Sequence, residues 1–132
     1  TIRSYSDVED IRRIIRERPQ KLNLNEFYLV AQEYEPGTDE FTEVFETAVR
    51  MFPDDTIANL NAANAAMRRG DLTSAKRYLA KADDSPEAVY ARGALAIRQK
   101  DYDSARRYLN EAKSLGLEQA GITLEQLEKG RR

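Results

Sequence analysis

The chain contains no cysteine, no histidine and no tryptophan. Without cysteine there are no disulfides, thiolate metal ligands or thiol nucleophiles, and without histidine the commonest general base at neutral pH is missing. The lack of cysteine leaves the compartment open, since a protein in an oxidising space need not use any. No apolar run approaches the length that crosses a bilayer, so direct membrane insertion is not expected. Charge of one sign is also lacking: 21 basic side chains face 23 acidic ones, a net charge of −2. No aromatic residues alternate with basic ones as a base-stacking platform requires, so nucleic acid is not an expected partner. The sequence opens at Thr1 with neither an initiator methionine nor a signal-peptide pattern, and it reads as a piece of a longer protein.

What is present suits one folded domain. The 132 residues are 33% charged and 41% hydrophobic, enough apolar material for a sizeable core. The small net charge hides a split: residues 1–57 hold 7 basic and 13 acidic side chains, and residues 58–132 hold 14 and 10. That asymmetry would steer an acidic partner towards the C-terminal half.

The chain is organised around a repeat. Asp71-Leu-Thr-Ser-Ala-Lys-Arg-Tyr-Leu-Ala-Lys-Ala82 recurs as Asp101-Tyr-Asp-Ser-Ala-Arg-Arg-Tyr-Leu-Asn-Glu-Ala112, with seven of twelve positions identical. Each copy follows a helical stretch rich in small residues: Ala58, Ala62, Ala63 and Ala66 before the first, Ala88, Ala91, Gly93 and Ala96 before the second. Repeated helical pairs of this size predict an all-α solenoid of helical hairpins. The spacing predicts hairpins over 22–54, 56–85 and 86–115, an N-terminal helix over 1–20 and a capping helix over 117–129, because an end repeat must cover its open face.

Local signals place the boundaries. Ser6 with Glu9 has capping-box spacing, and Pro19 stops the first helix. Asn25 is the expected cap of the next helix, which should run to about Tyr34, and Thr38 the cap of the one after. Gly70 and Gly116 are expected helix stops. Leu72 to Ala82 is expected to be helical throughout, and Gly121 is expected to weaken the last helix.

Ala63, Gly93, Ala75, Ala105, Ala82 and Ala112, with the turns Gly70-Asp71-Leu72 and Lys100-Asp101-Tyr102, resemble the small positions and turn of the tetratricopeptide repeat family. The interval from Ala48 to Ala82 is 34 residues, the family's own period, and that from Ala82 to Ala112 is 30, which demands a tight connection at Asp83–Pro86. Residues 22–54 are a divergent copy, with Phe41 and Leu29 at small positions. The resemblance implies a right-handed superhelix whose first helices line a concave, peptide-binding face. It also implies a non-catalytic interaction scaffold with a protein or peptide partner; from the residues themselves, no cofactor or metal is expected. A second resemblance, carried by Phe45 to Asp55 and Ala58 to Asn64, is to the C-terminal region of Bacteroidetes cell-envelope proteins with an upstream OmpA-like domain. It implies work in the periplasm or at the outer membrane.

The concave face would present Asn61, Asn64, Met67 and Arg68 from one hairpin and Tyr90, Ala94, Ile97 and Arg98 from the next. Asparagine amides can clamp a peptide backbone, and Arg68 and Arg98, thirty residues apart, can hold a carboxylate. The family's own carboxylate clamp is not matched, since Leu60 and Ala94 stand where its polar residues belong. The bland alternative is that Asn59, Asn61 and Asn64 bond within the solenoid. Asp54-Asp55 and Asp83-Asp84 sit at helix breaks, where aspartate caps helices for ordinary reasons. The competing function is a structural spacer or self-association domain, as a monomer or a weak homo-oligomer, and an enzyme is not expected.

Overall fold

The computed structural model describes residues 5–130, with side chains from Glu9 onward. Eight α-helices follow one another in these residues: α1 Tyr5–Glu17, α2 Leu24–Ala31, α3 Asp39–Met51, α4 Thr56–Arg68, α5 Leu72–Leu79, α6 Pro86–Arg98, α7 Tyr102–Ser114 and α8 Glu118–Gly130. A single 3-10 turn, Pro19–Lys21, links α1 to α2. No described residue is in a strand, and no described helix is long and apolar enough to cross a membrane. Each helix packs chiefly on its neighbours in the chain, with α4 on α5 and α6 on α7 as the most extensive pairs. This is a helical-hairpin solenoid, as the repeat predicts.

The helix starts differ from the sequence reading in detail. Ser6 lies inside α1 rather than ahead of it, and its side chain, like that of Val8, lies outside the described residues. Asn23, not Asn25, caps α2: its side chain accepts from Glu26 N, and the Glu26 carboxylate accepts from Asn23 N, both at 2.9 Å. Only Asn23 has glutamate three residues later, so only it can close the reciprocal pair. The remaining caps follow one scheme. Thr38, Asp55, Asp71, Ser85 and Asp101 each accept from the backbone N–H three residues on. Helix α2 stops at Ala31, so Tyr34 belongs to the following turn. Helix α8 runs through Gly121 without a break, and the Lys113 side chain lies across that glycine.

The helix ends share a device. At the end of α4, Asp71 N donates to Ala66 O at 2.9 Å and Gly70 N to Met67 O at 3.0 Å; at the end of α6, Asp101 N donates to Ala96 O at 2.9 Å and Lys100 N to Ile97 O at 3.0 Å. These paired bonds satisfy the last helical carbonyls and need one residue in the left-handed region. Gly70 (φ 81°) adopts it freely; Lys100 (φ 63°) adopts it at a cost. Asp71 and Asp101 each end this motif and also cap the next helix, which is why the turn inside each hairpin is so short.

Helix α5 ends at Leu79, three residues earlier than the sequence suggests. Arg92, reaching back from α6, explains the stop. Its Nη2 donates to Leu79 O, Ala82 O and Asp83 O at 3.0, 3.3 and 2.9 Å, and its Nη1 pairs with Asp84 at 3.2 Å. One guanidinium thus gathers the carbonyls of the shortened connection, the same place where the 30-residue spacing demands a tight link.

The core is made of three clusters of buried side chains that follow the chain. Phe27, Val30, Phe45 and Ala48 fill the N-terminal part with partly buried Ile11 and Ile14; Ala63, Ala75, Leu79 and Leu95 fill the middle; Val89, Leu109, Ala112 and Ala120 fill the C-terminal part. Ala58, Ala88 and Ala120 occupy the third position of α4, α6 and α8, and all three are fully buried. All three helices are 13 residues long, so α8 is placed as the first helix of a further hairpin. Where α4 and α6 carry the small residues Ala63 and Gly93, α8 carries Glu125, a charge unsuited to a buried helix contact. This is how α8 covers the last hairpin.

Candidate functional site

The α4 residues that escape burial form one stripe. Ile57 is 55% exposed, Leu60, Asn61 and Asn64 are half-buried, and Arg68 is exposed, while Ala58, Asn59, Ala62, Ala63, Ala65, Ala66 and Met67 turn inward. The matching stripe on α6 holds exposed Glu87, half-buried Tyr90, Ala94 and Ile97, and exposed Arg98.

The expected site residues fare unequally. Met67 is buried in the middle of the core. Arg98 is spent inside the fold: its Nη1 donates to Met67 O at 2.8 Å, adding a bond at the end of the preceding first helix. Tyr90 shares a hydrogen bond of 2.8 Å with Thr123 Oγ1 of α8, and Ile97 packs into the C-terminal apolar cluster. Asn61 Nδ2 donates to Ile57 O on its own helix at 2.9 Å. Asn59 is fully buried and bonds Pro53 O and Asp55 O at 3.0 and 2.8 Å, which matches the bland alternative for that residue. Asn64 and Arg68 remain turned outward together. The stem of Arg68 passes near Gly37, and among the described residues no carboxylate lies within ion-pair distance of it.

Sequence reasoning missed Ile57 as part of this face and missed Thr123. The second was findable: the equal lengths of α4, α6 and α8 put Thr123 where Asn61 and Ala91 stand in the earlier helices. The acidic pairs have structural partners. Asp55 accepts from Ala58 N and from the Tyr28 hydroxyl at 2.7 Å, and burial together with that carboxylate holds the Tyr28 pKa well above its ordinary value. Asp83 accepts from Ser85 N, and hydrogen bonding from the Ser85 side chain and then its backbone keeps the carboxyl below the usual range.

A family model described as a tetratricopeptide repeat matches residues 43–84 and, again, 74–119, together more than half of the chain. A comparison with curated protein sequences finds no match.

Proposed function

Because the chain belongs to the tetratricopeptide repeat family, we propose that it is a non-catalytic scaffold that holds an extended protein segment across the exposed stripe of α4. The observation that carries this reading is the pairing, on one helix face, of an exposed apolar side chain, Ile57, with an exposed cation, Arg68, that has no ion-pair partner among the described residues. Eleven residues of helix separate them by about 16 Å. About five residues of extended chain span that distance, so the favoured segment carries an apolar residue at one end and a carboxylate at the other. Asn64 lies between and offers both a donor and an acceptor to its backbone. The setting we propose is the cell envelope, supported by the resemblance of residues 45–64 alone.

The test is capture from a cell-envelope extract with the wild-type chain and with an Asn64→Ala/Arg68→Glu variant, both checked for equal melting. Arg68→Glu touches no buried contact, so its effect on stability should stay within about 0.5 kcal/mol. A partner held by the wild type and lost with the variant supports the reading; equal capture by both refutes it. A self-association reading has one observation in its favour. Leu115 and Ile122 are each 50% exposed, and Ile122 borders a groove of about 640 Å³ between α7 and α8. Sedimentation velocity that shows concentration-dependent dimers, abolished by Ile122→Ser, would support it.

A further inference from the structure

The repeat lets one site be compared with its own earlier copy. At the end of α4, Met67 O accepts backbone bonds from the turn and a third bond from Arg98, the thirteenth residue of α6. At the end of α6 the corresponding carbonyl is Ile97 O, which accepts the same turn bond from Lys100 N. The thirteenth residue of α8 is Gly130, so the side chain that would complete the set does not exist. Among the described residues no side chain donates to Ile97 O. The space that an arginine fills one repeat earlier is here an open pocket of about 540 Å³, lined by Ile97, Tyr102, Thr123, Gln126, Leu127 and Gly130. Both Ile97 and Gly130 line it, so the two positions do meet in space as the comparison requires.

We propose that this pocket is a seat for an arginine side chain from a partner protein, which docks as Arg98 docks one repeat earlier. The lining suits that guest. Ile97 and Leu127 flank an aliphatic stem, and Tyr102, 36% exposed, offers a ring face to a guanidinium. The Ile97 carbonyl accepts one N–H of the fork, and Thr123 and Gln126 supply further oxygens at the wall. Lysine fits less well, because its compact and strongly hydrated ammonium gains little from apolar walls. The proposal rests on the scaffold reading only in taking the arginine from a protein; its site is not the Ile57–Arg68 stripe.

The test is an amide-shift titration of the full ¹⁵N-labelled chain with acetyl-Gly-Arg-Gly-amide, beside the same peptide with norleucine in place of arginine. Saturable shifts centred on Ile97, Thr123 and Leu127, at least about tenfold weaker in affinity with norleucine, are expected from one charge-assisted hydrogen bond. Gly130→Arg should fill the seat from within, abolish the response and leave the fold intact, since α8 already continues to that residue. Arg68→Glu should leave the response unchanged, which separates this site from the α4 stripe. Equal binding of norleucine, shifts centred elsewhere, or a response that survives Gly130→Arg would each overturn the proposal. A response seen only after Arg131 and Arg132 are replaced by alanine would also overturn it, because the seat would then belong to the chain's own end.

Discussion

Replacing Gly93 by alanine sets two known effects against each other at one contact. Gly93 lies in the middle of α6, facing α7. A Cβ added there would stand 3.1 Å from both Cγ and Cδ2 of Leu109 and 3.4 Å from Cβ of Tyr108. Alanine in a helix interior is favoured over glycine by about 1 kcal/mol. Against that, the methyl meets the branch point of Leu109 as well as one of its end methyls, and Leu109 is fully buried. Overpacking of this kind costs roughly 1–3 kcal/mol. The clash should win, leaving a net loss of up to about 2 kcal/mol and a melting temperature lower by up to roughly 8 °C. The deciding measurement is a cycle with Leu109→Ala, which alone should cost about 2–5 kcal/mol. With the leucine gone, Gly93→Ala should turn from destabilising to stabilising by about 1 kcal/mol. Urea and thermal unfolding of the four proteins, followed by circular dichroism, read both signs. If Gly93→Ala stabilises the two backgrounds alike, α6 and α7 have slack between them. The small residue at this position would then not be demanded by the contact.

Arg92→Ala removes four interactions at once and should cost about 1–3 kcal/mol, with faster amide exchange confined to residues 79–86; unchanged exchange there would show that the loop holds itself. Lys100→Gly relieves a non-glycine residue at φ 63° and should raise stability by about 1 kcal/mol in urea titration. Asn59→Ala strips the side-chain donor from Pro53 O and Asp55 O in a fully buried place and should cost about 1–3 kcal/mol by the same assay. Melting temperature should be flat from about pH 5 to 8, because there is no histidine to titrate. Asp71, Asp83 and Asp101 have folded pKa values below the ordinary one, so the unfolded chain binds more protons in acid. The stability they contribute is present above about pH 4 and is lost as the pH falls further. Tyr28 has a raised folded pKa, so its contribution is present below about pH 10 and is lost as the pH rises past it. An acid limb unaltered by Asp71→Asn and Asp101→Asn together would refute the first assignment.

The sequence by itself determined the architecture. Helical spacing, caps and the repeated dodecamer are local or periodic signals, and each depends on residues within one turn or one repeat of another. Thr38, Gly70 and Gly116 could therefore be placed directly, and the missed cap at Asn23 was still a local matter of which asparagine precedes Glu26 by three. What the candidate site does with its side chains was decided by tertiary structure. Asn61, Met67, Tyr90 and Arg98 look alike in the sequence as polar or adaptable residues on a first helix. Yet Met67 is buried, Tyr90 is engaged by α8, and Arg98 is bonded to the preceding hairpin. Those outcomes depend on which helix lies alongside, a contact between residues about thirty positions apart that no local pattern encodes. The pocket beside Gly130 exists for the same reason: Arg98 reaches Met67 O from the next first helix, and in α8 the matching position holds a residue without a side chain.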